Sequence, residues 1–232
     1  MRLVSWNCNK VFREKYKVIT ELNADIYVIQ ECENPAKHAD TAYYQWAKNY
    51  SWISQGGYSG LGVFAGEDIK LNELDWISHY LTDFLPLRIN DTFDLIAIWA
   101  RKPHIEAIVP YLSIHFQKIN SQTILLGDFN SNVKWDKKHG IRTHSTLNKM
   151  LSEKNLTSAY HHHLDEKYGE ESIGTYYTNR KLEKSYHIDY CYCNPDRLLD
   201  MTIGNLESWK DSEEEKLIHS DHLPLIIDIH EA

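Results

Sequence analysis

The chain has 232 residues, 42% apolar and 25% charged, a globular composition that excludes a disordered or fibrous protein. With 25 Lys+Arg against 33 Asp+Glu the net charge is −8, which argues against a broad basic face gripping duplex nucleic acid but leaves room for a local positive groove. No apolar run approaches the roughly 18–20 residues that span a bilayer, the N-terminus lacks the apolar stretch of a signal peptide, and four scattered cysteines are too few for a disulfide scaffold. The expectation is therefore a cytoplasmic, reduced, single-domain protein over residues 1–232, with no membrane span and no obligate protein partner indicated.

Residues 3–6 read as a first strand, and Phe12, Tyr16, Ile19 and Leu22 recur at spacings of three and four, as on an amphipathic helix. Residues 26–29 form a second buried strand ending at Gln30 and Glu31, and residues 43–50 read as helix. Shorter strands are predicted near 52–53, 60–65, 70–77 and 80–88. A central strand covers 93–100, with Pro103 in the first turn of the helix that follows and Pro110 interrupting or restarting it. Residues 123–126 are another buried strand and 144–154 a helix. The last third offers strands at 175–178, 187–193, 201–204 and 223–229, with the acidic run 211–215 as a solvated loop. Many strands with few helices point to two packed sheets with helices outside, an α+β or α/β sandwich.

The strand ends carry the chemistry. Asn7 follows the first strand, Glu31 the second, and Gly127-Asp128-Phe129-Asn130 the 123–126 strand. Asp189 interrupts an otherwise apolar strand, and Ser220-Asp221-His222 immediately precedes the last one. A buried carboxylate is costly unless it is paired or bound to metal. Several converging carboxylates repel one another, which a hard divalent cation relieves. Asp128 and Asn130 stand two apart and so point the same way on an extended backbone. That pairing of carboxylate and amide suits phosphate chemistry. His222, beside Asp221 and with Asp189 free to orient it, is a candidate for phosphate binding or proton transfer. Each piece has a plain reading too: Asn7 as a strand terminator, Gly-Asp-Phe-Asn as a turn. Asp189, flanked by Ile188, Tyr190 and Tyr192, is harder to read plainly, and the joint pattern is more specific than any member.

Asn7 in Ser-Trp-Asn, Glu31 in Ile-Gln-Glu, Leu-Gly-Asp-Phe-Asn at 126–130, His-Ile-Asp-Tyr at 187–190 and Ser-Asp-His at 220–222 together resemble the endonuclease/exonuclease/phosphatase superfamily. That group includes deoxyribonuclease I, exonuclease III-like abasic-site enzymes, neutral sphingomyelinases and inositol-polyphosphate 5-phosphatases. The resemblance runs from residue 5 to residue 222, in the family's order. It implies a deoxyribonuclease I-like four-layer α/β/β/α sandwich and hydrolysis of a phosphoester by an activated water, dependent on Mg²⁺ (or Mn²⁺). It further implies Glu31 as the main metal ligand with Asn7 beside it, and Asp221 assisting that metal or a second one. Asp128 would handle the water or the leaving-group proton, Asn130 would hold a phosphate oxygen, and His222 would contact the scissile phosphate, oriented and kept cationic by Asp189.

One element departs from the family pattern. The strand ending Ala97-Ile98-Trp99-Ala100-Arg101 carries Trp99 where members present His or Tyr, and indole cannot be protonated. The phosphate contact is then either lost or taken by Arg101 or His104. Lys134 and Trp135 are further cleft candidates by position. The Thr175 hydroxyl is a candidate partner for Asp189, with a plain strand residue as the alternative. His161-His162-His163 reads as a polar loop or partly buried surface, and Cys8, Cys32, Cys191 and Cys193 as buried thiols. The aromatic groups around Tyr43–Trp52 and Tyr176–Tyr186 read first as packing and second as a stacking surface. The leading expectation is a nuclease acting on DNA or RNA. The alternatives are a phosphatase or phosphodiesterase acting on a small phosphorylated molecule or lipid head group, and a non-catalytic binding protein of the same fold.

Overall fold

The computed structural model describes residues 1–39, 41–81, 83–211, 213 and 216–231. In chain order, strand β1 (Arg2–Asn7) leads through helix α1 (Phe12–Thr20) to β2 (Ile26–Cys32), the short helix α2 (Ala42–Trp46), β3 (Asn49–Ile53) and β4 (Gly60–Ala65). Strands β5 (Leu71–Glu73), β6 (Asp83–Ile89) and β7 (Phe93–Trp99) precede α3 (Ile105–His115), β8 (Ile124–Asp128), α4 (His144–Ser152), β9 (Thr157–Ser158) and α5 (Ala159–Leu164). A hairpin of β10 (Tyr176–Tyr177) and β11 (Ser185–Tyr186) is followed by β12 (Asp189–Cys193), β13 (Leu198–Ile203) and α6 (Leu206–Trp209). A second hairpin, β14 (Lys210–Asp211) and β15 (Lys216–Leu217), precedes β16 (Leu225–Ile229).

Period-two alternation sets the layers. In β1, Leu3 joins the apolar core between two sheets, while Val4 and Trp6 join a core beneath α1, α2 and α6. In β7, Leu95, Ala97 and Trp99 face that same inner core, while Ile96 and Ile98 pack under α3 and α4. The two six-stranded sheets run β13-β16-β1-β2-β4-β3 and β5-β6-β7-β8-β12-β9. The result is the expected four-layer α/β/β/α sandwich. β1 and β2 are parallel, as are β7 and β8, so their C-terminal ends open at one end of the sandwich.

Several predicted elements need correction. The helix expected over 43–50 stops at Trp46, because Tyr50 pairs in register with Phe64 and stacks on it in β3. The strand expected over 70–77 is only β5: Leu74 donates to the Pro86 carbonyl at 2.9 Å, but Pro86 has no N–H to return and the ladder ends. Pro103 lies before α3, which begins at Ile105, and Pro110 neither breaks nor restarts that helix. Ile105, Ile108, Tyr111 and Leu112 are all fully buried under the second sheet. Burying them at about 1.5–3 kcal/mol each outweighs the roughly 3 kcal/mol cost of an interior proline. The 175–178 strand shortens to Tyr176–Tyr177. The three consecutive histidines lie on helix α5 rather than on a loop, with His161 buried. Within the acidic run, Asp211 pairs with Lys216 across the β14–β15 hairpin, and positions 212, 214 and 215 fall outside the described residues, as does position 82 of the predicted 80–88 strand. All four cysteines are buried and free.

Candidate active site

The open end of the sandwich gathers the polar strand ends. Asn7 terminates β1, Asp128 terminates β8, and Asp189 begins β12 directly opposite Asp128 in the antiparallel register. Glu31 sits where the β2–β4 register shifts, at a φ of 63°, so a bulge turns its carboxylate toward Asn7. Gly127 allows β8 to lie close to β7: at its φ of 150° a Cβ would stand 2.0 Å from the Ile98 carbonyl oxygen.

Asn7 joins the two sheets. Its amide Nδ2 donates to Asp128 Oδ2 at 3.0 Å and to Glu31 Oε1 at 3.3 Å. Asn130, at a φ of 47°, folds back so that its Nδ2 donates to Asp128 Oδ2 at 2.8 Å and its backbone N–H to Oδ1 at 2.9 Å. The extended backbone expected between Asp128 and Asn130 is thus replaced by a tight turn, yet the two groups still meet. Asp189 Oδ2 lies 2.9 Å from His222 Nδ1. The Thr175 hydroxyl accepts from the N–H groups of Ile188 (3.0 Å) and Asp189 (3.1 Å), so it orders the backbone that carries the carboxylate rather than the carboxylate itself. Asp221 lies beside His222, and its backbone carbonyl accepts from Tyr177 N–H at 2.7 Å.

Charge and burial oppose each other here. Burial and the neighbouring Asp189 push the Asp128 carboxyl up to about 7, against the influence of His222 and the hydrogen bonds from Asn7 and Asn130. Burial alone would lower His222. The charge of Asp189 and its hydrogen bond, helped by Asp128 and Asp221, instead raise it to about 10. At neutral pH the site therefore pairs an imidazolium with a carboxyl poised between its two protonation states. Asp128, Asp189 and His222 each present a ligand atom within 4.8 Å of the others. His222 Nδ1 is engaged by Asp189, so the carboxylate oxygens of Glu31 and Asp128 are the better match for a hard divalent cation, while Asn7 turns its Nδ2 toward both and its Oδ1 accepts from Asn9 N–H at 3.0 Å.

The peripheral candidates are placed less uniformly. Trp99 pairs in register with Asp128 and faces the same inner side. The Arg101 guanidinium carbon lies 4.9 Å from the Trp99 ring centroid, and its Nε lies 2.9 Å from Asp83 Oδ2. His104 caps α3 at a φ of 60°, its Nδ1 2.9 Å from the Ala100 carbonyl oxygen. Lys134 lies 3.8 Å from Glu171. Trp135 packs on Tyr186 at 5.3 Å, Tyr186 pairs with Tyr176, and the Tyr176 ring lies 4.9 Å from His222, which ties Trp135 to the site through aromatic rings. The Tyr43–Trp52 group, by contrast, is mostly core beneath α1 and α2.

Three supporting residues have roles that sequence reasoning did not assign. The Ser220 hydroxyl donates to the Asn7 carbonyl at 2.6 Å and accepts from His222 N–H at 3.0 Å, tying the last motif to the first. Trp6 Nε1 donates to the His222 carbonyl at 2.9 Å. Asp83, fully buried, falls within the predicted 80–88 strand without a role, and only its register with Trp99 reveals its place.

No family model matches the chain, and no curated protein matches it by sequence. Solved structures do match in fold. The 3′ phosphatase NExo from Neisseria, bound to a product DNA hairpin, superposes with a TM-score of 0.70 at 16% identity, over 99% of each chain. An AP endonuclease from Archaeoglobus fulgidus gives 0.67 at 15%, again over 99% of each chain. A mannosyl-6-phosphatase from Bacteroides thetaiotaomicron gives 0.58 at 14%, also over 99% of each. The fold is that of the endonuclease/exonuclease/phosphatase proteins.

Proposed function

We propose that this chain is a divalent-metal-dependent phosphoesterase of nuclease type. The observation that carries the reading is the Asn7–Asp128–Asn130 cluster standing directly across the β8–β12 register from the Asp189–His222 pair. Glu31, with Asp128 beside it and Asn7 once its amide is turned to present Oδ1, would hold Mg²⁺ or Mn²⁺, which when bound supplies Lewis-acid neutralisation of phosphate charge. His222, kept cationic by Asp189, faces an anionic oxygen with a fixed positive charge. Asp128, poised near 7, takes a proton from water or returns one to the leaving oxygen. Asn130 presents an amide to a phosphate oxygen. The NExo structure with product DNA favours a nucleic-acid substrate, while the phosphatase neighbours keep a small phosphomonoester as the second reading.

The test is hydrolysis of single- and double-stranded DNA, RNA, a chromogenic phosphodiester and sugar phosphates, with Mg²⁺, with Mn²⁺ and with EDTA. We expect metal-dependent turnover that Glu31→Ala or Asp128→Ala reduces about 10²–10⁴-fold, the range for removing a positioned acid or base. Turnover that survives both substitutions, or none on any phosphoester, overturns the reading.

A further inference from the structure

Four strands of the second sheet end in one transverse row. Asp83 of β6 pairs in register with Trp99 of β7, Trp99 with Asp128 of β8, and Asp128 with Asp189 of β12. Residues opposite one another across a ladder project to the same face. For this row it is the inner face, as the core positions two residues away along each strand show: Leu85, Ala97, Leu126 and Cys191. Both outer members of the row are buried carboxylates, and each holds a cationic side chain. Asp189 holds His222 at 2.9 Å; Asp83 holds Arg101 at 2.9 Å, with the guanidinium stacked over the Trp99 ring. Asp83 is completely buried, whereas the Arg101 side chain is one-third exposed. A carboxylate taken wholly out of water is costly unless paired, and here its partner is a guanidinium side chain that still reaches solvent.

The spacing separates the two cations. Neighbouring strands lie about 4.8 Å apart, so the row from β12 to β6 spans roughly 14 Å. A phosphate at Asp128 and His222 occupies one part of that row and leaves Arg101 over the next strand. Arginine suits phosphate because its planar fork offers two parallel donors, and the cation–π contact with the Trp99 indole helps hold the side chain over that strand.

Building on the phosphoesterase reading, we infer that Arg101, positioned by Asp83 and the Trp99 ring, forms a second phosphate subsite that takes the phosphate next to the scissile one. The substrate class is accordingly an oligonucleotide, or another molecule bearing two phosphates, rather than a lone phosphomonoester. Trp99 then supports the neighbouring cation instead of touching the scissile phosphate itself.

The experiment compares wild type, Arg101→Lys, Arg101→Ala and Asp83→Asn on two substrates: a short oligothymidylate and the single-phosphate p-nitrophenyl ester of thymidine 5′-phosphate. We expect Arg101→Ala to lower kcat/KM on the oligonucleotide about tenfold or more beyond any loss on the ester, the usual worth of a charge-assisted hydrogen bond, with the difference lying in KM. Arg101→Lys should rescue little of it, since lysine lacks the stacked fork. Equilibrium binding of a fluorescent oligothymidylate in EDTA supplies a readout that does not need turnover. The salt dependence of log K should flatten by about 0.7 in Arg101→Ala, the loss of one contact to a single strand. Asp83→Asn should weaken oligonucleotide binding in the same sense, and Arg101→Lys carries the test should that variant not fold. Equal losses on both substrates would move Arg101 to the scissile phosphate, and no loss would make the pair purely structural; either result overturns the inference while the phosphoesterase reading stands. A wild type that neither binds nor cleaves either substrate overturns the inference and the nuclease reading together, and turnover of sugar phosphates in the same preparation then separates a phosphomonoesterase from the loss of the phosphoesterase reading altogether.

Discussion

Strand β12 carries a histidine environment on each of its faces. On the inner face Asp189 bonds His222. On the outer face His144 packs against Tyr190 with ring centroids 4.6 Å apart, and His187, just ahead of the strand, packs between Tyr190 at 4.9 Å and Tyr160 at 4.2 Å. Depth does not distinguish them, since His222 is 4% exposed, His144 0% and His187 3%. Yet burial takes His144 down to about 3 and His187 to about 4, while His222 is driven up to about 10. The partners make the difference. His144 meets neutral hydroxyls, with Nδ1 3.2 Å from Ser131 Oγ and Nε2 2.9 Å from Tyr192 Oη, and His187 Nδ1 lies 3.1 Å from the Ile173 carbonyl. Of these three, only His222 bonds a carboxylate directly; the carboxylate nearest the other two, Glu171, is taken by His161, whose Nε2 lies 3.3 Å from its Oε1. Burial beside neutral groups makes a structural imidazole. Burial beside a carboxylate makes a fixed cation suited to phosphate.

The sharpest way to break this contrast is to remove that carboxylate. In Asp189→Asn, His222 keeps a polar neighbour but loses the opposing charge. Its titration in metal-free protein, followed by nuclear magnetic resonance of the ring, should fall by roughly one to three units. Turnover should fall about a hundredfold or more, as for other groups that orient a catalytic histidine. A His222 that titrates as before would place the source of its charge elsewhere.

The contrast also fixes the pH dependence of stability. The His144 ring binds a proton far more weakly when folded, at about 3, than when unfolded, near 6.5. Unfolding therefore takes up a proton once the pH drops below 6.5, and stability present above that value is lost as the pH falls toward 3. By pH 4 the loss from this one ring is on the order of 3 kcal/mol. His222 runs the other way: its contribution is whole below 6.5 and is lost as the pH rises toward 10. Denaturant melts in EDTA should show an acid-side decline that His144→Gln flattens and an alkaline decline that it leaves in place. If His144→Gln leaves the acid limb untouched, the outer histidine is not what holds the fold neutral there.

Much of the inner site was legible because its members end strands whose apolar runs are plain. Asn7, Asp128 and Asp189 sit at strand ends, and any fold that aligns those ends brings them together. Glu31 was legible as a residue but not in its aim, because a bulge at Gln30/Cys32 turns it and no local signal marks bulges in an apolar run. Asp83 was invisible as a partner of Arg101, since its role depends on pairing between β6 and β7 rather than on its own neighbours in sequence. The outer cluster was missed for the same reason. His144, His161 and His187 come from three separate segments and meet only around the Tyr190 ring, at 4.6, 6.3 and 4.9 Å. Pro110 misled in the opposite way: its local penalty is real, but tertiary burial of α3 overrides it.

The smallest expected effect tests whether the two faces of β12 are independent. Tyr192, on the outer face, donates its hydroxyl to Asn148 Oδ1 at 2.6 Å and lies 2.9 Å from His144 Nε2. Tyr192→Phe keeps the ring and its packing on Phe129 but leaves the buried His144 Nε2 and the half-buried Asn148 Oδ1 without that partner. A lost buried hydrogen bond costs about 1–3 kcal/mol, and the remaining ring contacts place this change near the lower end. Asp189 lies three residues earlier, facing inward, and its geometry is set by Thr175 and His222 rather than by anything Tyr192 touches. The phenylalanine variant should therefore unfold about 1 kcal/mol more readily while its kcat and its His222 titration match wild type. A coupled fall in kcat would show that the outer hydroxyl network sets the register at which β12 presents Asp189. The two histidine environments would then be one mechanical unit instead of two faces of a shared strand.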